Sequence, residues 1–199
     1  MVEKADSILQ LSLGCLASGL AFIHQQTIRH KDIKPQNILI HHGSVMYTDF
    51  GLSYDFGDSG QSTTTGLVQG LTRRYCAPEV AASGNRNSKS DIFSLGCVYL
   101  EILDTLSPGI VSEDVLTGPF HETLHTEDGE SFCIHSNDSS FWQPEMEPIE
   151  ALLHPNPSHR PSASKLVQTW LTLRTPMYIE KKYFCTRCIS ARDVQSSSR

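Results

Sequence analysis

The chain has 199 residues, enough for one sizeable domain, and 39% of them are hydrophobic while 19% are charged. These fractions allow a buried core and exclude collagen-like, coiled-coil and wholly disordered chains. The formal net charge is -6, which disfavours nucleic acid or an anionic membrane as a partner. We find no apolar run near the roughly 20 residues of a membrane span, and no apolar signal core at the N-terminus. We therefore expect an intracellular protein, cytoplasmic or nuclear, whose six cysteines are reduced.

The first predicted element is a helix over residues 6–25. Apolar residues recur there at spacings of four, three, four and three, which places them on one helix face. They are Leu9, Leu13, Leu16, Leu20 and Ile23. Asp6 or Ser7 is the expected N-cap. Gly14 and Gly19 weaken an isolated helix, so we expect core packing to stabilise this one.

A β-hairpin is predicted next. Two short β-type runs, residues 38–40 and 45–47, flank the sequence His42-Gly43-Ser44, which suits a tight turn. After the hairpin, residues 52–71 combine several glycines with Ser and Thr. This composition is typical of a long loop, and long loops in compact domains are often functional.

The second half of the chain contains two further predicted helices. One covers residues 89–103 and begins near Ser90 or Asp91; the other begins at Pro161, because proline suits a first helical turn. Residues 105–148 are rich in Pro, Gly, Ser, His and acidic residues, and they are predicted to form loops with short helical turns. The residues after Arg192 are expected to be disordered.

Three polar residues around the hairpin form a candidate metal-binding cluster. Because a hairpin returns the chain close to its start, Asp32, Asn37 and Asp49 can converge at one end of it. Carboxylate and amide oxygens suit Mg²⁺, whose shell is completed by water and phosphate. A carboxylate left without metal could take a proton from a hydroxyl group, and Lys34 could place a positive charge on a transferring phosphate. The alternative is that these Asp and Asn residues only cap loops.

The motifs around this cluster resemble those of the protein kinase family. That family has a catalytic loop H-R-D-L-x-x-x-N, followed by D-F-G and then A-P-E. In the same order, this chain has His30-Lys31-Asp32-Ile33-Lys34-Pro35-Gln36-Asn37, Asp49-Phe50-Gly51 and Ala77-Pro78-Glu79. The resemblance covers residues 6 to about 173. Lys34 followed by Pro35 resembles the Ser/Thr-specific form of the loop.

The resemblance implies a catalytic or binding role for each matching residue. Asp32 would be the general base for the substrate hydroxyl, Lys34 would steady the γ-phosphate of ATP, and Thr72 would support both side chains. Asn37 and Asp49 would hold Mg²⁺ on the ATP phosphates. Gly51 completes the motif of Asp49 and belongs to the same cofactor-binding group.

The resemblance also implies structural roles. His30 and Phe50 would pack to set the loop geometry, Asp91 would brace the catalytic loop, and Arg160 would pair with Glu79. Residues 52–76 would be the activation segment, and its phosphorylation candidates are Ser59, Ser62, Thr63, Thr64 and Thr65. A plain linker is the alternative interpretation of that Ser/Thr run.

The sequence departs from the family pattern in two places. Lys31 replaces the loop arginine, which keeps the charge but loses the bidentate fork that grips a phosphate. The family's N-terminal lobe of strands carries a Gly-rich loop and a strand lysine. No G-x-G-x-x-G occurs in these 199 residues, and Lys4 is the sole lysine before Lys31.

We therefore expect a protein-kinase-like (α+β) fold in the form of its large, mainly α-helical C-terminal lobe, with a small β-hairpin at the active site and the N-terminal β lobe absent. Residues 1–175 would form this incomplete kinase domain, and residues 176–199 would form a partly disordered tail. The predicted function is a protein serine/threonine kinase that uses ATP and Mg²⁺ on a protein substrate, with the isolated chain inactive. An unidentified partner could cover the face that the missing lobe exposes.

Two other functions were weighed. A truncated kinase-like module acting as a binding scaffold is the alternative, since the nucleotide clamp is missing. A small-molecule phosphotransferase is disfavoured, because Glu79, Asp91 and Arg160 resemble the protein-substrate platform of the kinases. Separately, Cys185 and Cys188 have a zinc-like spacing, but no second Cys or His pair lies near them in the sequence. We therefore predict two thiols without metal there.

Overall fold

The computed structural model describes residues 2–55, 73–83, 86–124, 142–173 and 182–190. Within these ranges, four short strands form two antiparallel pairs: β1 (Ile28–Arg29) with β4 (Tyr54–Asp55), and β2 (Ile38–His41) with β3 (Ser44–Tyr47). Helices dominate the described residues, and they are α1 Val2–Gln25, α2 Pro78–Ser83, α3 Ser88–Leu106, α4 Glu113–Thr117, α5 Phe120–Thr123, α6 Gln143–Leu152 and α7 Ala163–Thr172. This mainly helical architecture with a small hairpin agrees with the expectation from the sequence.

Helix α1 buries the apolar face that its sequence predicts. Leu13, Leu16 and Leu20 are fully buried, and the helix packs against α7, α3 and strand β3. The expectation that no apolar run approaches membrane-spanning length was wrong for α1: by length and composition alone, Ala5–Gln25 is apolar enough to cross a membrane, with a mean hydropathy of 1.5. Half of that stretch is buried inside the protein, which is the behaviour of a core helix.

Helix α3 is longer than predicted and begins earlier. Its N-cap is Asn87, whose side chain accepts a hydrogen bond from the Lys89 N–H at 2.8 Å. The Asn87 N–H in turn donates to the Ser90 hydroxyl. This capping box, rather than Ser90 or Asp91 alone, fixes the start of the helix. Later in α3, Gly96 lies where α6 approaches: a Cβ there would be 2.9 Å from the Leu153 side chain.

The predicted hairpin is present, with a tighter turn than expected. Ile38 pairs with Tyr47 and His41 with Ser44, so Ser44 belongs to strand β3 and the turn consists of two residues. His42 and Gly43 both have positive φ, at 48° and 73°, which is the geometry of the type I′ turn that matches strand twist. The second pair, β1 with β4, was not predicted.

The remaining described segments refine the expected boundaries. Helices α4 and α5 are the short helical turns predicted within 105–148, whereas α6 is a longer helix that the sequence analysis missed. Helix α7 begins at Ala163 and is capped by Ser162, so Pro161 precedes it. Residues 125–141, most of 52–71 and the tail after Arg192 lie outside the described residues. Within the predicted tail, Tyr183 and Phe184 are buried against the helices.

Candidate active site

Asp32 and Asn37 meet in the loop that connects β1 to the hairpin. A 3-10 turn over Pro35–Asn37 brings the Asn37 amide back toward Asp32. The Asn37 Nδ2 group donates to the backbone oxygen and to Oδ2 of Asp32, each at 2.8 Å. Both side chains are therefore held in one orientation. The amide oxygen of Asn37 is the atom of that side chain that can bind a cation.

Lys34 contacts the same carboxylate. Its Nζ lies 2.7 Å from Oδ2 of Asp32, and the two side chains are 20% and 10% exposed. The amide of Asn37 and the ammonium of Lys34 thus both donate to a single oxygen of Asp32. A carboxylate held in this way is oriented but still reaches solvent, as a group that must meet a substrate needs to do.

Asp49 follows the hairpin and enters the same region. The Thr48 N–H donates to the backbone oxygen of Asn37 at 2.9 Å. Asp49 is the residue after Thr48, so this hydrogen bond keeps its backbone close to that of Asn37. Asp49 has a φ of 57°, and its Oδ1 accepts the Gly51 N–H at 3.3 Å. This left-handed conformation is one that Asp tolerates better than most residues. Asp32, Asn37 and Asp49 are hard oxygen ligands, and Asn37 with Asp49 fits Mg²⁺ in chemistry.

Asp91 of α3 accepts hydrogen bonds from the backbone of the loop that contains Asp32. Its carboxylate accepts the backbone N–H groups of His30 at 2.9 Å and Lys31 at 2.8 Å, and His24 of α1 bonds it at 3.0 Å. Asp91 is 2% exposed, so these charge-assisted bonds lie inside the protein. The contact with His24 was not predicted, since nothing local in the sequence links α1 to α3.

His30 and Phe50 pack against each other beside the loop. Their ring centroids are 4.8 Å apart, and His30 is fully buried. His30 Nε2 donates to the Thr48 oxygen at 3.0 Å, which ties the catalytic loop to the end of the hairpin. Lys31, with φ at 68°, directs its ammonium over the Tyr54 ring at 4.5 Å. Burial lowers the pKa of Lys31, and the nearby Arg29 and Arg86 lower it further.

Glu79 and Arg160 form an ion pair behind the site. Arg160 NH1 and NH2 lie 2.8 and 2.9 Å from the two oxygens of Glu79. The Ser90 hydroxyl also donates to Glu79, at 3.0 Å. The pair therefore connects the start of α2, the start of α3 and the segment before α7.

A partly buried polar group around Glu101 was not predicted from the sequence. Arg74 and the Tyr75 hydroxyl both bond the Glu101 carboxylate, at distances from 2.8 to 3.1 Å. Burial raises the pKa of Tyr75 to about 12, with the Glu101 charge as the second cause. These bonds fix the residues just before Ala77 against α3. Thr72 and the candidates Ser59, Ser62, Thr63, Thr64 and Thr65 lie outside the described residues, so their predicted roles remain predictions.

Comparison with known proteins assigns the family. Residues 4–171 match the protein kinase domain, and the chain therefore belongs to the protein kinase family. It resembles the serine/threonine branch. It is 32% identical over 161 residues to the serine/threonine-protein kinase/endoribonuclease ire-1 of Caenorhabditis elegans, which covers 75% of this chain and 16% of that protein.

Two bacterial relatives are similar over shorter stretches. Identity is 40% over 105 residues with the serine/threonine-protein kinase PknB of Mycolicibacterium smegmatis, covering 52% of this chain and 17% of PknB. It is 44% over 87 residues with PknB of Mycobacterium tuberculosis, covering 43% of this chain and 14% of that protein. The chain thus spans less than a fifth of the length of each of these relatives.

Proposed function

We propose that these residues form the C-terminal lobe of a protein kinase that transfers the γ-phosphate of ATP to a Ser or Thr hydroxyl of a protein substrate. The observation that carries the proposal is the cluster at Asp32, where Lys34 and Asn37 both bond one carboxylate oxygen. In phosphoryl transfer, catalysis consists almost wholly of positioning and electrostatic stabilisation. A rigidly held carboxylate next to an ammonium group is suited to that work.

Each residue of the cluster has a distinct part in this proposal. Asp32 accepts the proton of the substrate hydroxyl, a contribution of about 10²- to 10⁴-fold in rate. Lys34 contacts the γ-phosphate oxygens once substrate separates it from Asp32. Asn37 and Asp49, with Gly51 shaping the turn, hold Mg²⁺, which neutralises phosphate charge when bound. Thr72 has the supporting role toward Asp32 and Lys34 that the family motif implies.

Exposed apolar side chains on the hairpin support the assignment to the C-terminal lobe. Leu39 and Met46 are cross-strand partners and are 47% and 38% exposed, and Phe50, which follows Asp49 in the chain, is 44% exposed. Exposed apolar side chains of this kind fit a surface that another lobe or a partner protein covers. The 199 residues contain no G-x-G-x-x-G, so we propose that they are inactive, or nearly so, by themselves.

The proposal extends to regulation and location. A phosphate on Ser59, Ser62 or Thr63 to Thr65 would pair with the basic side chains of Lys31 and Arg86. These two side chains lie close together, since, besides burial, the charge of Arg86 lowers the pKa of Lys31. Lysine offers a single ammonium where the usual arginine offers a fork, so this coupling is weaker than in kinases with arginine. We propose an intracellular site of action, cytoplasmic or nuclear, where ATP is present.

The test begins with the intact mass of the native polypeptide from its source cells. A mass well above 22.1 kDa supports a full kinase, and that polypeptide is then assayed for Mg-dependent phosphorylation of a Ser/Thr peptide library. Asp32→Asn is expected to lower kcat by about 10²- to 10⁴-fold with little change in the KM for ATP. Asp49→Asn is expected to abolish Mg-dependent nucleotide binding.

The matched control is Asp114→Asn, an exposed acidic residue in the first turn of α4, which should leave both quantities unchanged. The alternative function is a pseudokinase scaffold. It is supported instead if the native polypeptide has a mass of 22.1 kDa and binds no Mg-ATP. Equal activity of wild type and Asp32→Asn in a longer polypeptide contradicts the proposed catalytic role.

A further inference from the structure

Three cysteines from distant parts of the chain meet outside the candidate active site. Cys15 lies on α1, and Cys185 and Cys188 lie in the segment 182–190, about 170 residues later. Their sulfur atoms are all within 4.8 Å of one another. No metal is predicted for Cys185 and Cys188 from the sequence, because no further ligand lies near them there; the fold brings Cys15 to them.

The packing of the segment holds this cluster in place. The Gly14 N–H donates to the Tyr183 oxygen at 3.0 Å, and the backbone approaches so closely that a Cβ on Gly14 would be 2.4 Å from that oxygen. The Tyr183 ring packs against Trp170 of α7 in a tilted arrangement, with ring centroids 5.0 Å apart, and its hydroxyl donates to the buried Glu145. Three helices therefore fix the chain immediately before Cys185.

The geometry suits a soft divalent cation. With Zn–S bonds of about 2.3 Å in a tetrahedral site, ligand sulfurs are about 3.8 Å apart. The three sulfurs are at most 4.8 Å apart, so each pair would have to approach by about 1 Å or less to reach that spacing. The Cys185 N–H also donates to the Cys15 sulfur at 3.2 Å, which holds that sulfur beside Cys185.

We propose that Cys15, Cys185 and Cys188 bind one Zn²⁺ ion as thiolates and that the ion fastens the segment 182–190 to α1. Among the residues that the structure describes, no other His, Cys, Asp or Glu joins this group. The fourth position of a tetrahedral site is therefore taken by water. Thiolate ligands and a C-x-x-C pair select zinc over hard cations such as Mg²⁺.

A disulfide with one remaining thiol is the competing explanation of the cluster. A disulfide would use two of the sulfurs at about 2.05 Å and leave the third without a chemical role. In the structure Cys15 and Cys185 are not joined in a disulfide.

The experiment measures the metal content of the full chain, purified under reducing conditions and without chelator, by inductively coupled plasma mass spectrometry. We expect one zinc per chain. Cys15→Ser, Cys185→Ser and Cys188→Ser should each lose the bound zinc. Cys76→Ser, a buried cysteine outside the cluster, should keep it.

A second measurement needs no variant and covers the case in which a substitution unfolds the chain. Metal-free wild type is titrated with Co²⁺, and thiolate-to-cobalt charge-transfer absorption with intense d–d bands is expected at one equivalent. Added Zn²⁺ should then slow alkylation of Cys185 and Cys188 while leaving the alkylation of Cys76 unchanged. Absence of stoichiometric metal in the reduced wild type, or a native mass two hydrogens lower with a disulfide mapped among these three cysteines, overturns the proposal.

Discussion

Arg160 lies 81 residues after Glu79, yet its guanidinium contacts both oxygens of the Glu79 carboxylate. Arg160 also donates to the backbone oxygens of His154 and Pro155, so its donors serve several segments at once. The Arg160 side chain is fully buried, and the Glu79 side chain is 15% exposed. A buried guanidinium with several partners holds several segments of the chain together. Its loss is therefore expected to destabilise all of these segments.

The first prediction concerns this pair. Arg160→Met should lower the free energy of unfolding by about 3–5 kcal/mol, because Glu79 is left with an uncompensated charge. The measurement is urea denaturation of the wild type and the variant. Arg73→Met is the control, since its pair with Glu122 is exposed on both sides and should contribute little.

The double variant Glu79→Gln/Arg160→Met sharpens this test. It should be less destabilised than the sum of the two single variants, because neither side chain then keeps an unpaired charge. Strict additivity of the two losses would show that the residues do not interact in solution.

The second prediction concerns Asp91 as the support of the catalytic loop. Asp91→Ala should expose the amides of His30 and Lys31 to hydrogen exchange, since both donate to its carboxylate. Each buried donor left without a partner costs about 1–3 kcal/mol. The substitution also removes the hydrogen bond that offsets the energetic cost of the left-handed φ of Lys31. The measurement is amide hydrogen exchange resolved by residue.

A matched control lies on the same helix. Asp104 of α3 accepts the amides of Gly109 and Val111, at 3.0 and 3.4 Å. Asp104→Ala should therefore raise exchange at those two amides and leave His30 and Lys31 protected. If Asp91→Ala leaves exchange at His30 unchanged, the contact is absent in solution.

The third prediction concerns the crossing of α3 and α6 at Gly96. Gly96→Ala should destabilise the protein by about 1–3 kcal/mol, because the new methyl group overlaps Leu152 and Leu153 in a packed interface. Gly19→Ala on α1 is the control: its methyl group meets the Tyr47 ring at 3.3 Å, which can shift, and alanine favours the helix. Thermal unfolding of both variants gives the comparison. Equal melting temperatures would contradict the close crossing.

The fourth prediction concerns pH. Burial raises the pKa of Cys76 from 9.0 to about 11. Between these values the folded state keeps a proton that the unfolded state has lost, so this thiol's contribution to stability is complete below pH 9 and is lost as pH rises toward 11. Urea unfolding at pH 8 and pH 11 should show a smaller loss of stability for Cys76→Ser than for the wild type. The same loss in both proteins would mean that Cys76 does not titrate this way.

Local sequence signals predicted the elements that depend on neighbouring residues. The apolar stripe of α1 and the turn at His42 and Gly43 are encoded within a few positions, and both were found. The strands β1 and β4 have two residues each, too few for any periodicity to show. Helix α6 was missed because Pro144 and Pro148 signal loops, yet proline is accepted at the helix start and within this helix.

For the candidate site, the motifs identified the residues but not their partners. The bonds from Asn37 and Lys34 to Asp32 join residues within one loop, so the sequence places them together. His24, which bonds Asp91, and the third cysteine, Cys15, both come from α1, far away in the chain. Pairings of this kind depend on the tertiary arrangement, which no local pattern in a single sequence contains.

The packing of α1 against α7 has a consequence for synthesis on the ribosome. Translation delivers the apolar face of α1 early, while the helix that covers it begins at Ala163. During that interval Leu13, Leu16 and Leu20 have no α7 to pack against, so the nascent chain depends on chaperones or on delayed collapse. A premature stop before Ala163 would permanently remove the part of this cover that α7 supplies, and the released fragment is expected to aggregate.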